Sequence, residues 1–263
     1  MQAAWFHMLP AYLYYVYMKN IIILILVATA AHGQSTFNKV IDLGFNSCPL
    51  TDIMPTDSCY YVTGVYLDSA PPFKLGNIFI KFDLEGEPEL IKTIVSEDKF
   101  YQTWLGDMFT MPNGNIVDIG LTNDTTGKAI IIVYNALGDT LLTKEYLNIH
   151  YPAFSFIIPR VLLPYPEGGF VMLAGHESEN LEDISVYFLD DDFDVLEVFE
   201  YGGNLSEIPI PLIIDNDGGL IIGAGQNNFG LVLKNFTTRA YIFKIDSQGG
   251  VVWEKYPFPQ SQL

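Results

Sequence analysis

Apolar, β-branched and aromatic runs alternate along this chain with short polar turns that carry glycine, the pattern of strands joined by tight hairpins. Four stretches share one layout: "NIFIKFDLEGEPELIKTI", "AIIIVYNALGDTLLTKEY", "ISVYFLDDDFDVLEVFEY" and "YIFKIDSQGGVVWEKY". Their turns open on Asp83, Asn135, Asp190 and Asp246, at gaps of 52, 55 and 56 residues. Three positions on stand Gly86, Gly138, Phe193 and Gly249. Asp or Asn bonds the turn backbone and glycine accepts positive φ freely, so Phe193 predicts a different turn in the third hairpin.

A second motif lies upstream of three of these hairpins, as "PNGNIVDIG", "PEGGFVMLAG" and "NDGGLIIGAG"; the first unit has "TDSCYYVTG", without the glycines. Apolar runs, "FSFIIPRVLLP" and "EIPIPLII", precede the last two. Each unit of about 50 residues therefore holds four short strands. Continuous apolarity predicts that the first is an inner strand buried on both faces, and alternation that the last is an outer one. Four antiparallel strands per unit, repeated at this length, predict an all-β fold, a β-propeller with blades at about 45–95, 96–147, 152–202 and 207–258.

The repeats resemble those of large secreted propeller proteins that Gram-negative bacteria export by type IX secretion. "DGGLIIGAGQNNF" followed by "RAYIFKIDSQGGVVWEKY" carries the resemblance, as does "NALGDTLLTKEY". It covers roughly residues 36–258 and implies fold and export, not a reaction.

"STFNKVIDLGF", residues 35–45, resembles an outer strand alone, with Lys39 in the column of Lys92, Lys144 and Lys255, which Phe199 interrupts. Residues 36–44 are thus expected to close a ring. Yet the fourth unit already owns an outer strand, "VVWEKY". Two uncovered blade faces of roughly 400 Å² each would forgo on the order of 20 kcal/mol of apolar burial. An incomplete ring is expected, cut short after "PFPQSQL" or completed by a partner chain. A closed four-bladed ring is the rival arrangement.

At the N-terminus, "MKNIIILILVATAAHGQ" has the parts of a signal peptide. Lys19 supplies charge, Ile21 to Ala31 the apolar stretch, and Ala31-His32-Gly33 a small-x-small cleavage site. Residues 18–33 are read as that peptide and 1–17 as an over-extended start, with translation from Met18. A membrane anchor is the rival, but the run after Lys19 is short for a span of ~20 residues. The mature chain is expected outside the cytoplasm, secreted or on the cell surface, with no membrane span. There the only two cysteines, Cys48 and Cys59, are candidates for a structural disulfide contributing ~3 kcal/mol.

Composition narrows partners more than chemistry. Hydrophobic residues make up 49%, which excludes a disordered chain, and 14% aromatics with 22 glycines suit a turn-rich β protein. Thirteen Lys and Arg against 31 Asp and Glu give a net charge of −18, which repels nucleic acid and anionic membrane.

No catalytic set is legible. The mature chain has two histidines, His150 and His176, neither in a motif; "GHESEN" lacks the second histidine of a zinc-protease helix. His176 reads as a surface loop residue. Arg160, a charge inside an apolar strand, is expected to pair with a nearby carboxylate or else face an anion in the channel. Asp190, Asp192 and Asp194 alternate like a calcium loop, but Val195 stands where glycine is required and Tyr201 where glutamate is. Asp215 to Gly219, "DNDGG", is another partial likeness. Both read as hairpin turns, with calcium possible and no other cofactor expected.

Sialidase-type repeats need two steps from Asp to Gly, whereas Asp246 to Gly249 is three. Quinoprotein-type repeats are nearer to "KIDSQGGVVWEK", but the Trp253 column holds Leu90, Leu142 and Glu197 elsewhere. The sequons at Asn123, Asn204 and Asn235 matter only in a eukaryotic secretory pathway. The expected function is a non-enzymatic binding or adhesion platform for protein or glycan. The alternative is a propeller enzyme, a glycan hydrolase or lyase, marked by two or more carboxylates with Arg, His or Tyr at one channel mouth.

Overall fold

The computed structural model describes residues 40–68, 75–94, 101–103, 108–122, 127–147, 156–178, 181–203, 205–227 and 238–257. Residues 1–41 and 42–263 form separate units. The signal peptide, Lys39, His150 and the three sequons lie outside the described residues, and so does the expected closing strand except for 40–44, which carry no strand.

All described regular structure is β, in four antiparallel sheets that follow one another along the chain. The first holds β1 (Leu50–Pro55), β2 (Tyr60–Leu67), β3 (Leu75–Phe82) and β4 (Pro88–Ile94) in sequence order. The second holds β5 (Tyr101–Thr103), β6 (Phe109–Thr110), β7 (Ile116–Thr122), β8 (Ala129–Tyr134) and β9 (Thr140–Tyr146), with β5 and β6 both pairing β7. The third runs β10 (Ile157–Pro164), β11 (Phe170–Ser178), β12 (Leu181–Leu189) and β13 (Val195–Tyr201). The fourth runs β14 (Ser206–Ile214), β15 (Leu220–Asn227), β16 (Thr238–Ile245) and β17 (Val251–Lys255). Each sheet is a propeller blade.

Burial corrects one expectation. Among the described side chains of complete strands, β7 and β8 are buried throughout, and β2 nearly so, whereas the first strands β10 and β14 alternate. Second and third strands are paired along both edges, and in blades 2 and 3 they are covered by neighbouring blades on both faces. First strands have one unpaired edge and are irregular: the register slips at Leu50/Asp52, Pro159/Val161 and Pro209/Leu212. At Pro159 and Pro209 the ladder lacks an N–H. Their continuous apolarity therefore does not mean burial on both sides.

One turn recurs throughout. In the outer hairpins the residue opening the turn donates its N–H four residues on, to Glu87, Asp139, Asp194 and Gly250, while the fourth residue donates back to it. The hairpins opening at Met111, Tyr165 and Asp215 repeat this geometry. Gly86, Gly138 and Gly249 supply the positive φ required, and so does Phe193, at φ 61°. The third hairpin thus keeps the common turn, contrary to the sequence expectation. Phe193 bears the strain because its ring stacks on Phe170 at 4.4 Å and is buried.

Gly169 follows the third blade's inner turn at φ +71°, and a Cβ there would lie 2.0 Å from the Leu189 carbonyl oxygen. Gly169→Ala combines positive-φ strain with a backbone clash and is expected to cost about 2–3 kcal/mol, measured by urea denaturation. An unchanged midpoint would show that this blade edge is free to open.

Blades pack face to face. Tyr61 and Phe79 of blade 1 meet Ile116, Ile130 and Tyr134 of blade 2. Val117, Ile119 and Ile131 of blade 2 meet Phe170, Met172 and Tyr187 of blade 3, and Val171, Ile184 and Val186 of blade 3 meet Leu220, Ile222 and Phe243 of blade 4. Among the described residues no such cluster joins blade 4 to blade 1. Polar ties accompany the stacking: Lys92 reaches Asp139, Lys144 reaches Asp194 at 2.5 Å, and the Tyr146 and Tyr201 hydroxyls donate to the carbonyls of Phe193 and Gly249.

The expected disulfide is not formed: Cys48 and Cys59 are free. Cys59 is buried with Tyr61 and Phe79 on the face turned to blade 2, whereas Cys48 packs with Val62 and Tyr66 on the opposite face. Cys59 instead belongs to the glycine-free turn of blade 1, where Thr56 Oγ1 accepts its N–H at 3.0 Å and lies 3.2 Å from its Sγ. Among the described residues no helix is long and apolar enough to cross a membrane.

Candidate functional site

The tight turns of every blade lie at one end of its strands, which leaves the starts of first and third strands and the ends of second and fourth strands at the other. At that second end, blades 3 and 4 bring a set of polar side chains together. Arg160 on β10 crosses to Glu182 on β12, Nη2 to Oε1 at 3.2 Å. The expected carboxylate partner of Arg160 is therefore Glu182. Gly175 leaves the room: a Cβ there would lie 2.3 Å from Glu182 Oε1. The Glu182 N–H donates to Ser206 Oγ at 2.9 Å, which links blade 3 to the start of β14.

Glu207 follows Ser206 and is only 3% exposed. Its Oε1 accepts from Gln226 Nε2 at 2.9 Å, while its Oε2 is buried without a well-aligned hydrogen bond. Burial pushes the Glu207 carboxyl above the ordinary carboxylate range; Gln226 draws it down and the nearby Asp183 pushes it up again. Asp183 lies close against the blade 3–4 crossing, its Oδ1 2.1 Å from where a Cβ on Gly202 would stand. Arg160 Nε is also buried without a partner. With Glu182 and Arg160 both partly exposed, the set is reachable from solvent.

His176 departs from its reading as a surface loop residue. It lies on β11, 2% exposed, with Nδ1 2.7 Å from Ser185 Oγ and Nε2 3.9 Å from Glu200 Oε1. This Ser–His–Glu row crosses three neighbouring strands. Ser185 is 1% exposed, so the row holds strands together and presents no nucleophile.

Several side-chain oxygens of the two calcium-like runs are engaged within the protein. Asp190 Oδ1 accepts the Asp192 and Asp194 N–H groups, Asp191 Oδ1 accepts that of Gly169, and Asp194 holds Lys144. Asp215 and Asp217 clamp Lys244 at 2.7 and 2.6 Å, and that ammonium lowers both carboxyls. Among the described residues no group of three or more His, Cys, Asp or Glu is placed to hold a metal ion.

Sequence reasoning singled out Arg160 and missed Glu207, Asp183 and Gln226. Glu207 had the signal that marked Arg160, a charge opening an apolar first strand in "EIPIPLII".

No protein-family model and no curated protein matches the chain. Among solved structures it is similar to the Bombyx mori GH32 beta-fructofuranosidase BmSUC1, at TM-score 0.45 and 13% identity over 88% of this chain and 55% of that one. A puromycin-hydrolyzing peptidase of Mycobacterium tuberculosis gives 0.42 and 11% over 78% and 37%. A eukaryotic initiation factor gives 0.37 and 9% over 84% and 57%. The chain spans less than two thirds of each, and likeness this remote says nothing about activity. From its own strand order and blade packing, the described chain is an all-β protein of four consecutive four-stranded propeller blades.

Proposed function

We propose that this chain is an exported β-propeller that serves as a binding platform at the cell surface, taking a glycan at the blade 3–4 end. One observation carries the reading: Glu207 is nearly fully buried at a solvent-reachable polar cluster, with one carboxyl oxygen held by Gln226 at 2.9 Å and the other set against Asp183 and the Gly203 backbone without a well-aligned hydrogen bond. A buried oxygen without such a bond costs about 1–3 kcal/mol, and a ligand hydroxyl that donates to it recovers that cost. Gln226 beside it, and the Arg160–Glu182 pair linked to the neighbouring Ser206, offer the planar donors and acceptors that sugar hydroxyls pair with. The surplus of negative charge argues against polyanionic glycans and for neutral or cationic ones.

The test is a glycan array on the purified chain, followed by titration calorimetry. Glu207→Gln is expected to weaken binding at least about tenfold while leaving the melting temperature within about 2 °C, the mark of a lost contact rather than a lost fold. Equal affinity in the variant, or no glycan bound, would sink the reading. Export is checked separately: the N-terminus of the secreted protein is expected at Gln34.

A second reading, a glycan-acting hydrolase, is favoured by the same carboxyl. Glu207 is held toward its neutral form beside Asp183, as a general acid must be. In that case Glu207→Gln keeps binding and loses turnover by at least about 100-fold. The two outcomes separate the readings.

A further inference from the structure

The stacking of blades follows a rule that runs on past the last described blade. In the first three outer hairpins the strand residue four before the turn opens faces the next blade, as Phe79, Ile131 and Val186, and Ile242 holds the same place in blade 4. Opposite it on the last strand stand Lys92, Lys144, Phe199 and Lys255. Lys92 and Lys144 each reach the fifth residue of the next blade's outer turn, Asp139 and Asp194.

At the blade 3–4 seam both members change together. Phe199 replaces the lysine, Gly250 replaces the acid, and the Phe199 ring lies 2.3 Å from where a Cβ on Gly249 would stand. Lysine on the strand thus goes with an acid on the facing turn, and phenylalanine with glycine. Blade 4 carries the lysine.

Its outward face is otherwise made like the faces that are covered. Phe79, Ile131 and Val186 are fully buried against the following blade, while Ile242 is only half-buried. Ile221 is half-buried where Tyr61, Val117 and Val171 are buried, and Ile213 is 58% exposed. Trp253 occupies the column of Leu90 and Leu142, both packed into seams. Lys244, the other charge on this face, is already neutralised by Asp215 and Asp217. Lys255 rests its ammonium 5.4 Å from the Trp253 ring, and among the described residues no carboxylate pairs with it.

We infer that this face is a docking surface for a fifth four-stranded blade whose outer turn carries an aspartate or glutamate at its fifth residue. Apolar contact with Ile213, Ile221, Ile242 and Trp253 would supply the affinity, and Lys255 the choice of partner and register. The charge term is specificity rather than strength, since exposed ion pairs contribute little.

The test supplies such a blade. Residues 157–201, whose turn bears Asp194, are fused after Leu263 of the full chain, so that 256–263 form a connection intermediate in length between the native 202–205 and 147–156. Against the unfused chain, the fusion is expected to raise the melting temperature by about 4 °C or more. Lys255→Glu in the fusion, or Asp194→Lys in the fused copy, is expected to reverse much of that rise, and the two together to restore it. Lys255→Glu in the unfused chain leaves its melting temperature unchanged. No rise in melting temperature, or no rescue by the charge swap, overturns the inference. Sedimentation of the unfused chain as a dimer that Lys255→Glu dissociates also overturns it, because a second copy would then be the occupant.

Discussion

Replacing Asp118 by asparagine is expected to stabilise this protein at pH 8 by on the order of 4 kcal/mol and to leave its stability near pH 4 almost unchanged. Asp118 lies on β7, fully buried, where blade 2 faces blade 1. Its Oδ1 accepts the Ile119 N–H at 2.8 Å, and its Oδ2 has no partner in hydrogen-bonding geometry. Across the seam, Thr63 of blade 1 meets the Asp118 carboxyl, and beside it Asn77 of blade 1 meets the Tyr134 hydroxyl of blade 2. Burial drives the Asp118 carboxyl up to about 7; Thr63 and the Ile119 N–H pull against that, and the charge of Asp52 adds to it.

The sign follows from which state holds the proton. Between about pH 4 and 7 the unfolded chain has released it while the folded chain keeps it, so stability falls by about 1.4 kcal/mol per pH unit and is flat above. Asparagine cannot ionise, and its side chain can keep the contact with Thr63. Urea denaturation at pH 4, 6 and 8 checks this. A wild type whose dependence on pH over that window is unchanged by Asp118→Asn would show that another group titrates there.

The repeat was legible because each level agreed with the others. Turn residues, strand length and the fifty-residue spacing all pointed to blades, and the described chain forms four antiparallel sheets in succession. What the sequence could not show was contact between units. Cys48 and Cys59 are eleven positions apart and look paired along the chain, yet they lie on opposite faces of one blade. His176 looked like a loop residue beside "ESEN", but its strand runs on past it and buries it against Ser185. Glu207 stands out as a charge opening an apolar strand, but its neighbours Gln226 and Asp183 arrive from other strands. In each case the missing information is which side chain faces which across a seam, a quantity that period and composition do not contain. Arg160 was the exception, because a charge within an apolar strand announces that a partner must exist.

Phe193 puts the limit of such reading to a quantitative test. Its turn requires positive φ, which costs an L-residue roughly 1–2 kcal/mol and glycine nothing. The ring repays this by stacking on Phe170 and filling the blade 2–3 core, while the Phe193 carbonyl takes the Tyr146 hydroxyl at 2.8 Å. Phe193→Ala removes the ring but keeps the strained backbone, so the loss is expected to be about 3–5 kcal/mol. Phe193→Gly loses the same ring and relieves the strain, so it is expected to be the more stable of the two by about 1 kcal/mol, or about 2–4 °C in melting temperature. That reverses the usual order of glycine and alanine, and the Tyr146 bond survives in both because it is made to the backbone. If the alanine variant instead melts higher, the turn is not under strain, and the burial of the ring alone explains why a phenylalanine replaces glycine in this one hairpin.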